Sequence, residues 1–332
     1  MTNAFEAAHD QVAVADCSDW GRVKVSDADR IRFLHNQTTN DFERLQPGQG
    51  CETVFVNSTA RTLDLVSAYV GPESVLLLTS PEIQTQLIDW MDRYIFFADK
   101  VKLEDVTAQT FAFRVIGSQA AETLVQLGFK EWIGEQPRLH HHTETSLADT
   151  PVTVAVGSGL ALPGYTLIGP KESAPAVWQA LTTAGVAALA PSDWERLRIE
   201  QGRPVPGQEL TEDDNPLEAG LWHAISFEKG CYIGQETIAR LNTYQGVKKQ
   251  LWGLKLKKLA PAGSAIHYEG SKVGHLTSSI NTPNGPVGLG YIRTKAGGAG
   301  LTVQVGEADS SDSSPIMATV VEVPFLSRGY LA

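Results

Sequence analysis

The sequence predicts a mixed α+β protein that ends in a small all-β domain, and three observations carry that expectation. In the first two-thirds of the chain, apolar runs of strand length alternate with segments of helical period, which argues α/β or α+β packing. From about Leu251, short β-like pieces recur between Gly, Pro and Ser turns, as in a small barrel or sandwich. The length of 332 residues, with 42% apolar and 20% charged residues, fits about two globular domains with a real core.

Each element follows from local chemistry. Val75–Thr79 reads as a buried strand. Ser80 then suits a helix N-cap, with Pro81 at the first helical position. Ile83, Leu87, Met91 and Tyr94 recur at helical spacing and define one apolar face. Phe111–Ile116 reads as a further strand, and Gln119–Leu127 as a short helix stopped by Gly128. Near Pro191 another helix opens, with Ser192 and Glu195 in capping-box relation, Trp194 and Leu197 on one face, and Gly202 placed to end it. Residues 203–220, rich in Pro, Gly and acids, form a long irregular loop, a kind often functional inside compact domains. The β-like pieces beyond are Leu251–Leu256, Lys272–Thr277, Val287–Tyr291, Thr302–Val305 and Ile316–Val323. Ala308–Pro315 reads as a flexible surface loop.

Composition excludes several classes. The 27 basic and 38 acidic residues leave a net charge of −11, which disfavours broad contact with phosphate backbones. Three cysteines, Cys17, Cys51 and Cys231, make neither a disulfide framework nor a zinc site, and cannot supply the four ligands of an ordinary iron–sulfur cluster. The N-terminal residues carry acids and no basic start, unlike a signal or transit peptide. No run approaches the roughly 18 apolar residues of a membrane span, so a cytoplasmic location is expected. His140-His141-His142 reads as a solvated loop rather than a metal site. Lysines 248, 249, 255, 257 and 258 form a local patch, but Leu254 and Leu256 alternate with Lys255 and Lys257 as in a half-buried strand, so direct nucleic-acid binding is not expected.

The densest chemistry lies in Lys229-Gly-Cys-Tyr-Ile-Gly-Gln-Glu236. Cys231 sits beside a cation and between glycines that let the backbone turn sharply and approach a ligand. A neighbouring ammonium favours the thiolate, the reactive form. The same residues also suit a buried structural cysteine, with Glu236 and Arg240 as a helix-surface pair. Glu200 ends a helix where the macrodipole disfavours an anion, so it needs donors. Arg196 or Arg203 could supply them in a salt bridge. A ligand with two adjacent N–H donors, such as a pterin, is the alternative.

With Arg240 after it, the KGCYIGQE run resembles the signature of YgfZ-type folate-binding proteins, relatives of the glycine-cleavage T-protein (aminomethyltransferase). Phe33-Leu-His-Asn-Gln-Thr-Thr-Asn-Asp41 is similar to the opening motif of that family. The segments 94–101, 198–202, 206–207, 216–220, 273–278 and 324–325 are similar to later ones. The resemblance implies a T-protein-like region of two α+β lobes over residues 1–247 and a C-terminal β-barrel over 248–332, the three lobes ringing a folate cavity. It places Glu200 at the pterin carboxylate, Lys229 at a basic position near the folate, and Cys231 at the signature thiol. The T-protein pattern carries two adjacent aspartates where this chain has Asp64 and Leu65. Asp64 could still touch folate; otherwise it is an exposed strand residue.

What the resemblance implies is a tetrahydrofolate-binding accessory protein that supports assembly or repair of iron–sulfur enzymes, including tRNA-modifying ones. Its cofactor would be tetrahydrofolate or a derivative, and its partners iron–sulfur proteins or their assembly factors, with no resident metal, membrane or direct nucleic-acid contact. The alternatives are aminomethyl transfer to tetrahydrofolate with Asp64 serving alone, and an interaction module whose cavity is empty.

Overall fold

The computed structural model describes residues 3–306 and 315–331, so all of the Ala308–Pro315 segment but Pro315 lies outside the described residues. Eight α-helices are described: α1 (Ala4–Asp10), α2 (Arg30–Gln37), α3 (Gln84–Asp92), α4 (Ala120–Leu124), α5 (Lys130–Gly134), α6 (Ala174–Thr183), α7 (Pro191–Gln201) and α8 (Gln235–Thr243). The strands form two open sheets and one closed barrel.

The first sheet runs β3-β4-β5-β2-β6. Its strands are β2 (Trp20–Ser26), β3 (Gln49–Val56), β4 (Thr62–Val70), β5 (Ser74–Pro81) and β6 (Lys102–Asp105). α3 lays Leu87, Trp90 and Met91 inward, at the spacing that puts them on one face, and Trp90 meets Phe55 edge-on at 5.8 Å. The second sheet runs β11-β1-β7-β10-β9-β8, from β1 (Ala13–Asp16), β7 (Thr110–Ile116), β8 (His142–Leu147), β9 (Thr150–Val156), β10 (Gly164–Pro170) and β11 (Ala187–Ala188). Its core joins Phe111, Phe113 and Val115 of β7 to Leu124 of α4 and Val177 and Leu181 of α6. The barrel closes in the order β12-β15-β14-β13-β16-β17. Its strands are β12 (Lys249–Leu256), β13 (Ala265–Tyr268), β14 (Ser271–Thr282), β15 (Gly285–Arg293), β16 (Thr302–Val305) and β17 (Ile316–Val321). Pairing of β12 with β17 shuts it, so the choice between barrel and sandwich falls to the barrel. Lys255 is exposed between buried Leu254 and Leu256, as the alternation in the sequence requires.

Packing groups the chain into two compact units. The first is Met1–Phe55, Asp64–Trp194 and Glu228–Tyr232; the second is Val56–Leu63, Glu195–Phe227 and Ile233–Ala332.

Several local expectations are corrected. Ser80 does not cap a helix. β5 continues through Pro81 and α3 begins at Gln84, because the Ser80 N–H and hydroxyl are both taken by Asp64, at 2.9 and 2.6 Å. α7 starts at Pro191, one residue before Ser192. Asp193 reaches back to the Ala190 N–H at 3.3 Å, doing the work expected of a Ser192–Glu195 box. Glu195 is instead drawn to Arg198, whose Nε lies 2.8 Å from it. Gly128 interrupts rather than ends its helix: with φ 106° it kinks a wide turn, after which α5 follows. The triple histidine is not wholly solvated. His142 starts β8 with its ring 5.5 Å from that of Tyr69. Strand β13 escapes the sequence reading because four residues with only Ile266 fully buried leave little periodicity.

The irregular stretch after α7 belongs to the interior of the second unit. Glu209, wholly buried, accepts from Arg198 Nη1 at 3.0 Å, the Val205 N–H at 3.2 Å, Thr277 Oγ1 at 2.8 Å and Ser278 Oγ at 2.5 Å. Tyr291 donates its hydroxyl to the Glu209 carbonyl at 2.7 Å. A carboxylate removed from water needs such saturation, and here it ties helix, loop and barrel together. Glu209→Ala leaves the Arg198 guanidinium buried without its main counter-charge. The expected loss is about 3–5 kcal/mol, read as a lower urea midpoint by tryptophan fluorescence.

Candidate functional site

The segment between α2 and β3 explains why the opening motif has the residues it has. Phe33 and Leu34 are the buried face of α2. Thr39 then exchanges bonds with Val54: its N–H donates to the Val54 carbonyl at 3.2 Å, and its hydroxyl accepts from the Val54 N–H at 2.9 Å. The Asn40 N–H donates to Thr53 Oγ1 at 3.0 Å, and its side-chain amide to the Glu52 carbonyl at 2.7 Å. These polar side chains suture an irregular loop to a strand edge, in place of a regular ladder.

Lys229 enters this loop from far along the chain. Its ammonium donates to the carbonyls of His35, Thr38 (2.8 Å) and Asn40 (2.7 Å). An ammonium has three N–H donors, and these three acceptors match them. The His35 carbonyl belongs to the last turn of α2, where acceptors are orphaned and the dipole favours a cation. Lys229 therefore serves as a long-range C-cap. Its Nζ also lies 4.8 Å from the centre of the Tyr232 ring. Burial pushes its pKa down from 10.5 to about 8.

A second contact holds the same turn. Asp41 lies 3.3 Å from His35 Nδ1 and 3.1 Å from Arg44 Nε, and Arg44 reaches Glu228 at 3.4 Å. Both neighbours of the turn are thus pinned, while Cys231 itself stays exposed. Cys17 is buried, and the half-buried Cys51 thiol is pushed up to about 12 by desolvation. Of the three thiols, only that of Cys231 is exposed. Beyond the turn, Gly234 (φ 80°) opens α8. A side chain there would meet the Asn57 carbonyl at 2.9 Å, which is why the signature needs its second glycine.

The residues singled out from sequence divide between the units. Lys229, Cys231 and Asp64 belong to the first, and Glu200 to the second. Lys229 and Cys231 are brought together on one clamped turn. Asp64 is corrected from an exposed strand residue to a fully buried one, bonded to Ser80 across neighbouring strands, and Leu65 beside it is equally buried. Glu200 sits half-buried in the last turn of α7 and is engaged by neighbours, two residues after the Arg198 that anchors the helix. His35 and Asp41 stood in the opening motif without a role; their spacing of six residues across a helix end gave no period to flag them. Among the described residues, no group of three or more His, Cys, Asp or Glu could hold a metal, and no helix is long and apolar enough to cross a membrane.

The comparisons with known proteins agree with this architecture. The sequence profile described as the GCVT N-terminal domain matches residues 1–229. The chain is 45% identical over 327 residues to "Putative transferase At1g60990, chloroplastic" of Arabidopsis thaliana, covering 98% of this chain and 74% of that protein. It is 27% identical over 334 residues to the aminomethyltransferase of Halalkalibacterium halodurans, covering 98% and 89%. Its fold is similar to the crystal structure of glycine cleavage system aminomethyltransferase T from Bartonella henselae, with a TM-score of 0.83 at 20% identity, covering 98% of this chain and 89% of that one.

The low pKa of Lys229 has a consequence for stability. Below pH 8 the ammonium is charged in both folded and unfolded chains. Between about 8 and 10.5 the unfolded chain holds the extra proton, so stability rises with pH across that window. Relative to Lys229→Met, the wild type is expected to gain up to about 3 kcal/mol over this interval, measured by urea unfolding at stepped pH.

Proposed function

The chain belongs to the GCVT N-terminal domain family, and from that premise we propose that it is a YgfZ-type accessory protein. It binds a reduced folate in the cytoplasm and uses the Cys231 thiol to support assembly or repair of iron–sulfur enzymes, tRNA-modifying ones included. The observation that carries this reading is the clamped turn. Lys229 and its carbonyl partners fix the backbone on one side of an exposed cysteine, and a pre-positioned accessible thiol is what exchange with a partner protein requires.

The residues present fit tetrahydrofolate. Glu200 projects from a helix end braced by Arg198 and Glu209, and a carboxylate offers paired acceptors to the adjacent N–H donors of a pterin, which would replace its present neighbours. Lys229, which the resemblance puts near the folate, has its three donors engaged by carbonyls. The folate supplies a bound pteridine, and its one-carbon group is not needed for thiol exchange.

Aminomethyl transfer, the activity named for the 27% identical relatives, is less well supported. Asp64 is tied to Ser80 by both oxygens, and its neighbour is the buried Leu65. A carboxylate aimed at a reacting amine must be free to point at it. Robust methylenetetrahydrofolate formation from an aminomethylated carrier protein, lost in Asp64→Ala, would reverse this preference.

Glu200→Gln is expected to weaken tetrahydrofolate binding by about 1–3 kcal/mol, read by equilibrium dialysis. Wild-type protein that binds no folate at high micromolar ligand would instead indicate an interaction module. Cys231→Ser is expected to keep its fold and its folate affinity while losing complementation of an iron–sulfur enzyme defect; full complementation would make the cysteine merely structural.

A further inference from the structure

The charges of the chain are unevenly divided. Residues 248–332 hold nine basic and five acidic side chains, a net charge of +4, which leaves −15 on residues 1–247. Of those five acids, Glu307, Asp309 and Asp312 lie outside the described residues. The other two are Glu269, in the turn between β13 and β14, and Glu322, which Arg328 Nε holds at 2.9 Å.

Strand alternation decides where the cations stand. Leu254, Leu256, Val303, Val305, Ala318 and Val320 fill the barrel, so their neighbours along β12, β16 and β17 point outward. Ile266 and Val273 do the same for β13 and β14. Strand register then sets the outward side chains in two rows. In one, Lys255 stands opposite Thr319, and Thr319 opposite Thr302. In the next, the Lys257 N–H donates to the Met317 carbonyl at 2.9 Å, Met317 stands opposite Gln304, Gln304 opposite His267, and His267 opposite Lys272. With neighbouring strands about 4.8 Å apart, the second row runs about 20 Å along the wall between its terminal lysines. Lys255, Lys257 and Lys272 are all exposed. Elsewhere the outer wall is covered, where Ile199 of α7 packs with Leu251, Leu289 and Tyr291.

We propose that the wall formed by β12, β17, β16 and β13 docks an acidic surface of a partner protein, whose carboxylates meet Lys255, Lys257 and Lys272 around an apolar contact at Met317. Charge complementarity selects such a partner, because the wall is cationic on a chain that is otherwise strongly acidic. The apolar contact favours a protein over a nucleic acid. Met317 is 39% exposed within the second row, and Leu259, two residues beyond Lys257, is 40% exposed. Exposed methionine among cations is a feature of protein-binding surfaces. The two rows hold no Phe, Tyr or Trp on which bases could stack, and the −15 of the remaining chain repels an extended phosphate backbone.

The test uses the purified full chain and a fluorescein-labelled peptide of four Glu-Glu-Leu repeats, read by fluorescence anisotropy. The peptide is expected to bind, and to bind about tenfold more weakly when 50 mM NaCl is raised to 500 mM. The double variant Lys255→Glu, Lys257→Glu is expected to lose about tenfold in affinity, while Lys24→Glu on the first sheet loses nothing. Should the double variant unfold, Lys258→Glu with Lys272→Glu is read in its place, with the same loss expected. No binding at millimolar peptide, or wild-type affinity in the folded double variant, overturns the proposal. A 12-nucleotide single-stranded RNA that binds more tightly than the peptide, and is lost in the same variant, overturns it in favour of a nucleic acid. Neither folate nor Cys231 takes part in the assay, so its failure leaves the complementation result for Cys231→Ser standing.

Discussion

Placing a lysine ammonium in the interior among backbone carbonyls is unfavourable unless each of its donors finds an acceptor. Lys229 meets that condition at the end of α2, and the rest of the signature turn depends on it. The carbonyls of His35, Thr38 and Asn40 converge because the chain leaves the helix there and is sewn to β3 by Thr39 and Asn40. Without that suture the three acceptors would diverge, and the ammonium would have no cage. Without the ammonium the loop would bury three carbonyls lacking donors. Each half of the contact requires the other, although 189 to 194 positions of sequence separate the partners.

The consequence is a division of labour within eight residues. Lys229 and Tyr232 are buried and fix the backbone; Cys231, between them, is exposed. Gly230 leaves room beside the imidazole, and Gly234 takes a left-handed conformation against the 57–60 turn. A side chain at Gly234 would collide with the Asn57 carbonyl, whereas one at Gly230 would make an ordinary contact with the His35 ring. The signature is therefore a mechanical motif first, and it offers one reactive atom at its outer edge.

Sequence alone carried the large features well, because they rest on period and turn chemistry. The barrel strands announce themselves by alternation between glycine and proline turns, and the α3 face by its i, i+3, i+4 spacing. The KGCYIGQE run stands out by its glycines and cation. What sequence does not carry is partnership across long separations. Ser80 looks like a helix cap until Asp64, sixteen residues earlier, claims both its donors. Glu195 looks like a capping-box acid until the buried Arg198 draws it away. His35 and Asp41 are ordinary polar letters until the helix end folds one back toward the other. In each case a local propensity worth about 1 kcal/mol yields to burial of a charged or doubly bonded group, whose unsatisfied cost is several times larger.

The same inequality bears on the strand that carries Asp64. A strand aspartate can orient a reacting amine only while one of its oxygens remains uncommitted. In this chain Ser80 engages both oxygens of Asp64, and the adjoining position carries a buried leucine. At the clamped turn, by contrast, the Cys231 thiol is exposed. The contrast is one of commitment: the Asp64 carboxylate is buried and held by Ser80, whereas the clamp that buries Lys229 leaves the Cys231 thiol at the surface.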